Sequence, residues 1–256
     1  MTVRIEKRPG AERGSRTPEK IQSLSSGAIG TVTDAFKDAA GGAIRAVKPR
    51  LRGWIHAFTA PLALAACIVL TVLAPGPALT WACAAYLACS LFLFANSGVY
   101  HISYGHWPRR VSAVLQRVDH ANIYLLIAGT YTPLSVALLD RGMTLLVLGI
   151  VWGGALAGII TSLAWRSAPR WLTTLFYILL GWVAIWFLPQ FWMTGGPAIV
   201  WLLVSGGVTY TVGGVVYARR WPDPDPRWFG FHEIFHTCTV AAWACQCTAC
   251  YLAVLG

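Results

Sequence analysis

Seven apolar segments constrain this chain more than any other feature, because each is close to the roughly 20 residues that a helix needs to cross about 30 Å of hydrocarbon. They occupy residues 53–74, 79–102, 117–139, 143–165, 170–189, 196–218 and 231–255. Charged residues make up only 12% of the 256 residues. That is half the share of about 25% found in soluble domains, so a soluble globule would lack polar surface. The sequence therefore predicts an all-α fold, a seven-transmembrane helix bundle formed by residues 48–256.

Residues 1–47 form a polar tail ahead of the first segment. No apolar stretch follows its basic residues, as a secretory signal peptide would require, and the composition up to about Ser26 is typical of disorder. Apolar residues between Ile29 and Val47 recur every three or four positions, which fits an amphipathic helix on the membrane surface and a plain linker equally well. We therefore expect a cytoplasmic tail that is disordered or partly amphipathic.

The basic residues predict the orientation of the bundle. The net charge of +10 comes from the tail and short loops, a pattern that membrane topology explains and that does not indicate nucleic acid as a partner. The second, fourth and sixth loops and their edges contain Arg109, Arg110, Arg117, Arg166, Arg170, Arg219, Arg220 and Arg227, and the other loops contain only Arg141. Because basic loops stay in the cytoplasm, we expect the N-terminus inside and the C-terminus outside, the reverse of a seven-helix signalling receptor.

Five polar residues fall at one depth in this topology. Ser97 and His101 lie near the cytoplasmic end of the second segment, Asp119 begins the third, and His232 and His236 begin the seventh. Ionisable side chains in hydrocarbon are costly unless they are paired, ligated or hydrated, so each one indicates a functional site. The charge pattern alone sets their depth, which makes their coincidence informative.

The spacing of these residues predicts a zinc site. His232 and His236 are four residues apart and can bind one ion from successive helical turns. With His101 they supply three neutral imidazoles and leave one position open, as in catalytic zinc sites, where the pKa of a bound water falls from about 15.7 to about 7. We expect Asp119 to act as hydrogen-bond acceptor or general base, and Ser97 to hydrogen-bond water, substrate or Asp119.

Other histidines and the cysteines give weaker signals. His56 is a candidate partner behind the ligands, His120 is expected to face a packing interface, and His106 is expected to be solvated. The seven cysteines fall in apolar segments, and the group at Cys245, Cys247 and Cys250 fits small packing residues better than a soft-metal site.

The segment from His232 to His236 also matches H-E-x-x-H, the metalloprotease motif in which the glutamate is the general base. A protease of that kind takes its third ligand from a further motif, and downstream of His236 the chain offers only cysteines and polar amides. We therefore expect Glu233 to turn away from the metal and meet the cytoplasmic interface.

Several motifs in combination resemble the hemolysin III family, which belongs with the progestin and adipoQ receptors. They are the Ser97-x-x-x-His101 pair and the segments Val118–Tyr124, Gly129–Pro133 and His232–His236, with further likeness at Gly53–His56 and Gly206–Tyr217. The resemblance covers roughly residues 48–255 and leaves out the tail.

The resemblance implies seven helices with a cytoplasmic N-terminus, in a bacterial plasma membrane. It implies zinc bound by His101, His232 and His236, with Ser97 and Asp119 at the other two marker positions. Kinship with membrane ceramidases implies hydrolysis of a lipid amide, and the resemblance also implies a role in membrane-lipid homeostasis. We therefore expect a zinc-dependent hydrolase of lipid amide or ester bonds, with membrane lipid as substrate. The alternative is a non-enzymatic pore-former that lyses cells, or a sensor of membrane state with structural zinc.

Overall fold

The computed structural model describes residue 51 and residues 53–103, 105–165, 169–225 and 227–256. The tail predicted for residues 1–47 lies outside these residues. The described part of the chain is helical, and its one β-type contact is an isolated bridge between Asp225 and Phe229. The helices are α1 (Trp54–Leu73), α2 (Gly76–Ile102), α3 (Arg109–Leu138), α4 (Arg141–Ala164), α5 (Arg170–Gly181), a 3₁₀ turn (Trp182–Phe187), α6 (Leu188–Arg219) and α7 (Phe231–Leu255). The all-α prediction is confirmed.

Six stretches of the described residues are long and apolar enough to cross a membrane. Five are single helices, and the sixth is the continuous run Arg170–Arg219, which contains 50 residues and includes two of the predicted segments. A straight helix of that length would extend about 75 Å, more than twice the hydrocarbon thickness of about 30 Å.

The run Arg170–Arg219 reverses direction at Gly196. The φ of Gly196 is 79°, a conformation that breaks the helix and that glycine adopts without a Cβ clash, and Pro197 begins the next helical piece. Trp182 Nε1 donates a hydrogen bond of 2.9 Å to Thr211 Oγ1, whereas a straight helix would separate these residues by about 44 Å. Residues 170–195 and 197–219 therefore pack as a helical hairpin.

The first and last helices run parallel to each other. Near their N-terminal ends the imidazole rings of His56 and His236 are 3.9 Å apart. Farther along both helices, Tyr251 Oη donates a hydrogen bond of 2.6 Å to the carbonyl oxygen of Ala66. Consecutive helical segments are antiparallel when residues 170–195 and 197–219 are taken as two segments. The starts of α1, α3, α5 and α7 therefore share one end of the bundle with the ends of α2, α4 and α6.

Helix α3 occupies the centre of the bundle and packs against α2, α4, α5, α6 and α7. Two close approaches fix its neighbours. Asn122 Nδ2 donates a hydrogen bond of 2.9 Å to the Phe92 carbonyl oxygen in α2, and Trp152 Nε1 in α4 donates one of 3.1 Å to Thr132 Oγ1. Side chains on several faces of α3 therefore point into the interior of the bundle.

Exposed tryptophans lie near both ends of the bundle, as expected of aromatic belts at membrane interfaces. One set is Trp54, Trp165, Trp171, Trp221 and Trp228, and the opposite set is Trp81, Trp192 and Trp201. Along α2, Trp81 and His101 are separated by about 30 Å of helix rise, which matches the hydrocarbon thickness. Together with the apolar helices, the belts identify an integral membrane protein.

Candidate metal centre

Three histidines meet at one end of the bundle. His101 lies in the last turn of α2, and His232 and His236 lie in the first two turns of α7. One imidazole nitrogen of each lies within 4.8 Å of the corresponding nitrogens of the other two. Among the described residues, this is the one group of three or more histidine, cysteine or carboxylate side chains gathered at such distances. The structure thus brings together the three ligands that the sequence predicts.

Close backbone packing holds His101 in place. Gly53, with a φ of 91°, precedes α1 directly beneath the end of α2. A Cβ on Gly53 would lie 2.7 Å from the Cβ of His101, closer than carbon atoms can approach without displacement. Only glycine combines this backbone conformation with this proximity.

His56 in α1 packs against the histidine cluster from the side. Its ring stacks on that of His236, with 3.9 Å between centroids and 4° between planes. Phe94 contacts the same ring edge-on at 5.2 Å. His56 is 3% exposed, so this packing restricts the orientation of the His236 imidazole.

Asp119 and Ser97 lie next to the histidines. Asp119 Oδ2 is 3.5 Å from His101 Nε2, and Ser97 is buried one turn before His101 on α2. Both residues line a cavity whose wall also includes His232 and His236. All five residues that the sequence places at one depth are therefore near one another.

The histidine cluster fits a zinc ion. Three imidazole nitrogens around tetrahedral zinc are about 3.4 Å apart, given Zn–N distances of about 2.0–2.1 Å. The observed upper limit of 4.8 Å exceeds this by about 1.4 Å, a gap that rotation of the imidazole side chains would have to close on metal binding. Uncharged nitrogen ligands, a nearby carboxylate and no thiolate in the group are typical of a zinc site with an open position.

Glu233, the glutamate of the H-E-x-x-H segment, is engaged in the backbone of its own helix. Its Oε2 accepts a hydrogen bond of 2.9 Å from the backbone N–H of Gly230, which completes a cap at the start of α7. The side chain is fully buried, whereas the sequence suggests that it reaches the cytoplasmic interface. Its carboxylate is not part of the group that gathers the three imidazole nitrogens.

His232 and His236 form part of the wall of a cavity of about 330 Å³. Further polar residues that the sequence does not predict for the site also line it, among them Arg117, His120, Arg170 and Tyr217. His120 was expected to face a packing interface, but its Nε2 lies 3.4 Å from Tyr217 Oη. The spacing of α3 residues does not reveal these contacts, because they depend on how α5 and α6 approach it.

Apolar space continues from this cavity toward the middle of the bundle. A second cavity of about 80 Å³ shares part of its lining with the first, and a third of about 40 Å³ shares part with the second. Leu93, Ile123 and Phe235 belong to both the first and the second, and Gln246 belongs to both the second and the third. A series of cavities thus extends from the histidines between α3, α5, α6 and α7.

Known proteins are similar to this chain in sequence. A family profile described as Haemolysin-III related matches residues 44–247. The Hemolysin-3 homolog of Bacillus subtilis (strain 168) is 32% identical over 142 residues, which cover 55% of this chain and 65% of the relative. Hemolysin-3 of Bacillus cereus is 35% identical over 114 residues, covering 44% of this chain and 51% of the relative. The chain therefore aligns with less than two thirds of the length of either relative.

Proposed function

The chain belongs to the hemolysin III family, and we propose on this premise that it is a zinc-dependent hydrolase of lipid amide or ester bonds in a bacterial plasma membrane. One observation carries the proposal. Three imidazole nitrogens lie within 4.8 Å of one another, and two of these histidines, His232 and His236, line a cavity that continues into apolar space inside the bundle. A polar metal centre at the end of an apolar passage suits a substrate with a reactive polar bond and a hydrocarbon chain.

His101, His232 and His236 would hold the zinc ion. When bound, zinc polarises a carbonyl oxygen and makes hydroxide available at neutral pH. The stacked ring of His56 would keep His236 oriented, and the Gly53 contact would keep His101 in place. These supports matter because ligand positions must be held closely for a metal centre to work.

Asp119 would transfer the proton. Its carboxylate, 3.5 Å from His101 Nε2, is close enough to the ligand cluster to accept a proton from water at the open position and return it to the leaving group. Ser97 would donate a hydrogen bond to the carbonyl oxygen of the substrate as negative charge develops there.

The apolar cavities would receive the acyl chain. Their lining is largely aliphatic and aromatic, and the cavity about the histidines is bounded by helices that face the lipid bilayer on their outer side. Placement of the chain there would bring the adjoining amide or ester bond to the level of the histidines and exclude bulk water from it.

The proposed topology has seven spans, a cytoplasmic N-terminus and an external C-terminus. Parallel packing of α1 and α7 supports an odd number of crossings, and the hairpin at Gly196 supports counting residues 170–219 as two. Seven of the eight described arginines lie toward the histidine end, and Arg141 lies at the other. The positive-inside rule would put the metal centre at the cytoplasmic face.

The relatives' names favour a second candidate, a lytic protein that permeabilises membranes. Outward faces of the described helices are apolar, with exposed Leu62, Val72 and Leu145 as examples, so a pore between subunits would lack a polar lining. In the alternative of a membrane sensor, zinc would have a structural role only.

A single experiment separates these functions. Purified, zinc-loaded protein would be incubated with a mixture of ceramides, N-acyl amino acids, glycerolipids and phospholipids, and the products identified by mass spectrometry. Zinc-dependent release of fatty acid, absent after chelation and restored by zinc, is the expected result. Leakage of a dye from vesicles without any lipid product would instead support the lytic candidate.

A further inference from the structure

Two arginines line the cavity of the metal centre without a described acidic partner. Arg117 in α3 and Arg170 at the start of α5 both form part of its wall. Asp119 is the one carboxylate among the described lining residues, and its Oδ2 lies 3.5 Å from His101 Nε2. Across the described part of the chain, neither arginine forms an ion pair with a carboxylate.

Arg170 lies near the ligand cluster, with one tyrosine ring between them. The Arg170 Cζ is 5.4 Å from the centroid of the Tyr217 ring, and that centroid is 5.6 Å from the centroid of His232, so guanidinium and imidazole are at most about 11 Å apart. Tyr217 Oη is also 3.4 Å from His120 Nε2. Stacking and hydrogen bonding thus define the wall between the guanidinium and the metal centre.

Arg117 lies deeper in the bundle than the two arginines at the start of α3. Arg109 and Arg110 begin α3 and are exposed. Arg117 lies about 12 Å farther along the helix axis than Arg109 and is only partly exposed. It therefore extends into the cavity from inside the bundle.

The charges in this cavity do not balance. Two permanently charged guanidinium groups and a bound metal cation would face one carboxylate. In a recess with low-dielectric walls this excess of positive charge attracts an anion. Guanidinium groups match the planar or tetrahedral oxygens of carboxylate and phosphate, and they bind them with paired hydrogen bonds. A lipid with a neutral headgroup would leave both arginines uncompensated.

We propose that Arg117 and Arg170 bind the oxyanion of a lipid headgroup, so that the ligand of this cavity is an acyl lipid with a phosphate or carboxylate headgroup. Its acyl chain would enter the apolar cavities, and its amide or ester bond would lie between them and the arginines, beside the histidines. The position of that bond rests on the proposed function. Binding of the headgroup does not require that any bond be cleaved.

The test measures binding of dioleoyl phosphatidate to the full-length, zinc-loaded protein in phosphatidylcholine nanodiscs, by native mass spectrometry. We expect phosphatidate to be retained over phosphatidylcholine. Arg117→Gln with Arg170→Gln should weaken its binding at least tenfold, since hydrogen bonds between charged groups are among the strongest in proteins. The matched control is Arg109→Gln with Arg110→Gln, which removes the same charge from the same end of the bundle and should change the affinity less than twofold.

Folding of each variant would be checked by zinc content and thermal unfolding. Arg170→Gln alone, at an exposed position, serves if the double variant does not fold, and should still weaken binding severalfold. Equal affinities for phosphatidate and phosphatidylcholine in the wild type would overturn the proposal, as would equal losses in the cavity and control variants.

The last part of the experiment tests whether inorganic phosphate binds at the same site and displaces phosphatidate. If it bound as tightly as phosphatidate and displaced it, the site would belong to free phosphate and the lipid assignment would be wrong. Turnover distinguishes this inference from the proposed function. Selective phosphatidate binding without hydrolysis of any lipid would refute the hydrolase and leave the headgroup site, whereas hydrolysis of neutral lipids alone would refute the headgroup site and leave the hydrolase.

Discussion

Removing His101 should lower the zinc affinity of the protein far more than removing any other histidine of α2, α3 or their connecting loop. His101 is the ligand that connects α2 to α7, because His232 and His236 both belong to α7. Four-ligand structural zinc sites bind with roughly 10–16 kcal/mol, or about 3 kcal/mol for each ligand. Loss of one ligand therefore corresponds to an affinity about 100-fold weaker.

The same loss appears in thermal unfolding, since zinc bound to the native state stabilises it. At free zinc 1,000 times the wild-type dissociation constant, binding contributes about 4.1 kcal/mol to the free energy of unfolding. At that concentration, free zinc is about 10 times the dissociation constant of the His101→Ala variant. Zinc binding then contributes about 1.4 kcal/mol to the free energy of unfolding of the variant. Chelation should thus destabilise the wild type strongly and the variant weakly.

The assay is a competition titration with a chromogenic chelator, followed by unfolding in detergent with and without that chelator. His106→Ala, in an exposed loop, is a control that should leave both values unchanged. His120→Ala is the stricter control, because His120 lines the same cavity but is not part of the ligand group. Wild-type zinc affinity in His101→Ala, or an equal loss in His120→Ala, would refute the assignment of ligands.

Three more outcomes are expected. Asp119→Asn should retain zinc, because Asp119 is 3.5 Å from His101 and outside the ligand group. At saturating zinc, lipid turnover by this variant should fall about 10²–10⁴-fold, and wild-type turnover would exclude Asp119 as the base. Gly129→Ala would place a Cβ 2.7 Å from the Cβ of Cys89 and should reduce stability by about 1–3 kcal/mol in thermal unfolding. Gly149→Ala, with no atom within 4 Å of the added Cβ, should unfold like the wild type, and equal unfolding of the two variants would contradict the α2–α3 packing. Alkaline phosphatase, which needs an oxidising compartment for its disulfides, should be active when fused to the C-terminus, and an inactive fusion would contradict seven spans with a cytoplasmic N-terminus.

Much of the fold follows from local sequence. Apolar length sets where the helices lie, and Gly195-Gly196-Pro197 indicates the break that becomes the hairpin inside Arg170–Arg219. The ends of the helices are harder to predict from local sequence. The third segment was expected to begin at residue 117, but α3 begins at Arg109, because a helix continues beyond the apolar part of its sequence when its polar turns are solvated.

The grouping of His101, His232 and His236 was predictable for a different reason. The distribution of arginines fixes which helix ends share a membrane face, and that places the three residues at one depth before any contact is known. Depth does not determine which side chains face one cavity. His120 and Tyr217 are 97 positions apart in sequence and meet only because α6 folds back along α5 toward α3, which no local pattern encodes.

The role of Glu233 shows how context changes the meaning of a motif. In the sequence, its position between two histidines suggests a catalytic base. In the structure, its carboxylate accepts the Gly230 N–H at the first turn of α7, where four backbone N–H groups of any helix need acceptors. The carboxylate that lies beside the histidines belongs to another helix: Asp119 Oδ2 is 3.5 Å from His101 Nε2, and our proposal assigns the role of base to Asp119.

X-ray absorption at the zinc edge tests the central claim most directly, because it reports the atoms bound to the metal in the intact protein. We predict three imidazole nitrogens at about 2.0–2.1 Å with one further light atom, and a loss of one imidazole signal in His101→Ala. Sulfur at about 2.3 Å, or an unchanged spectrum in that variant, would show that the metal is held elsewhere.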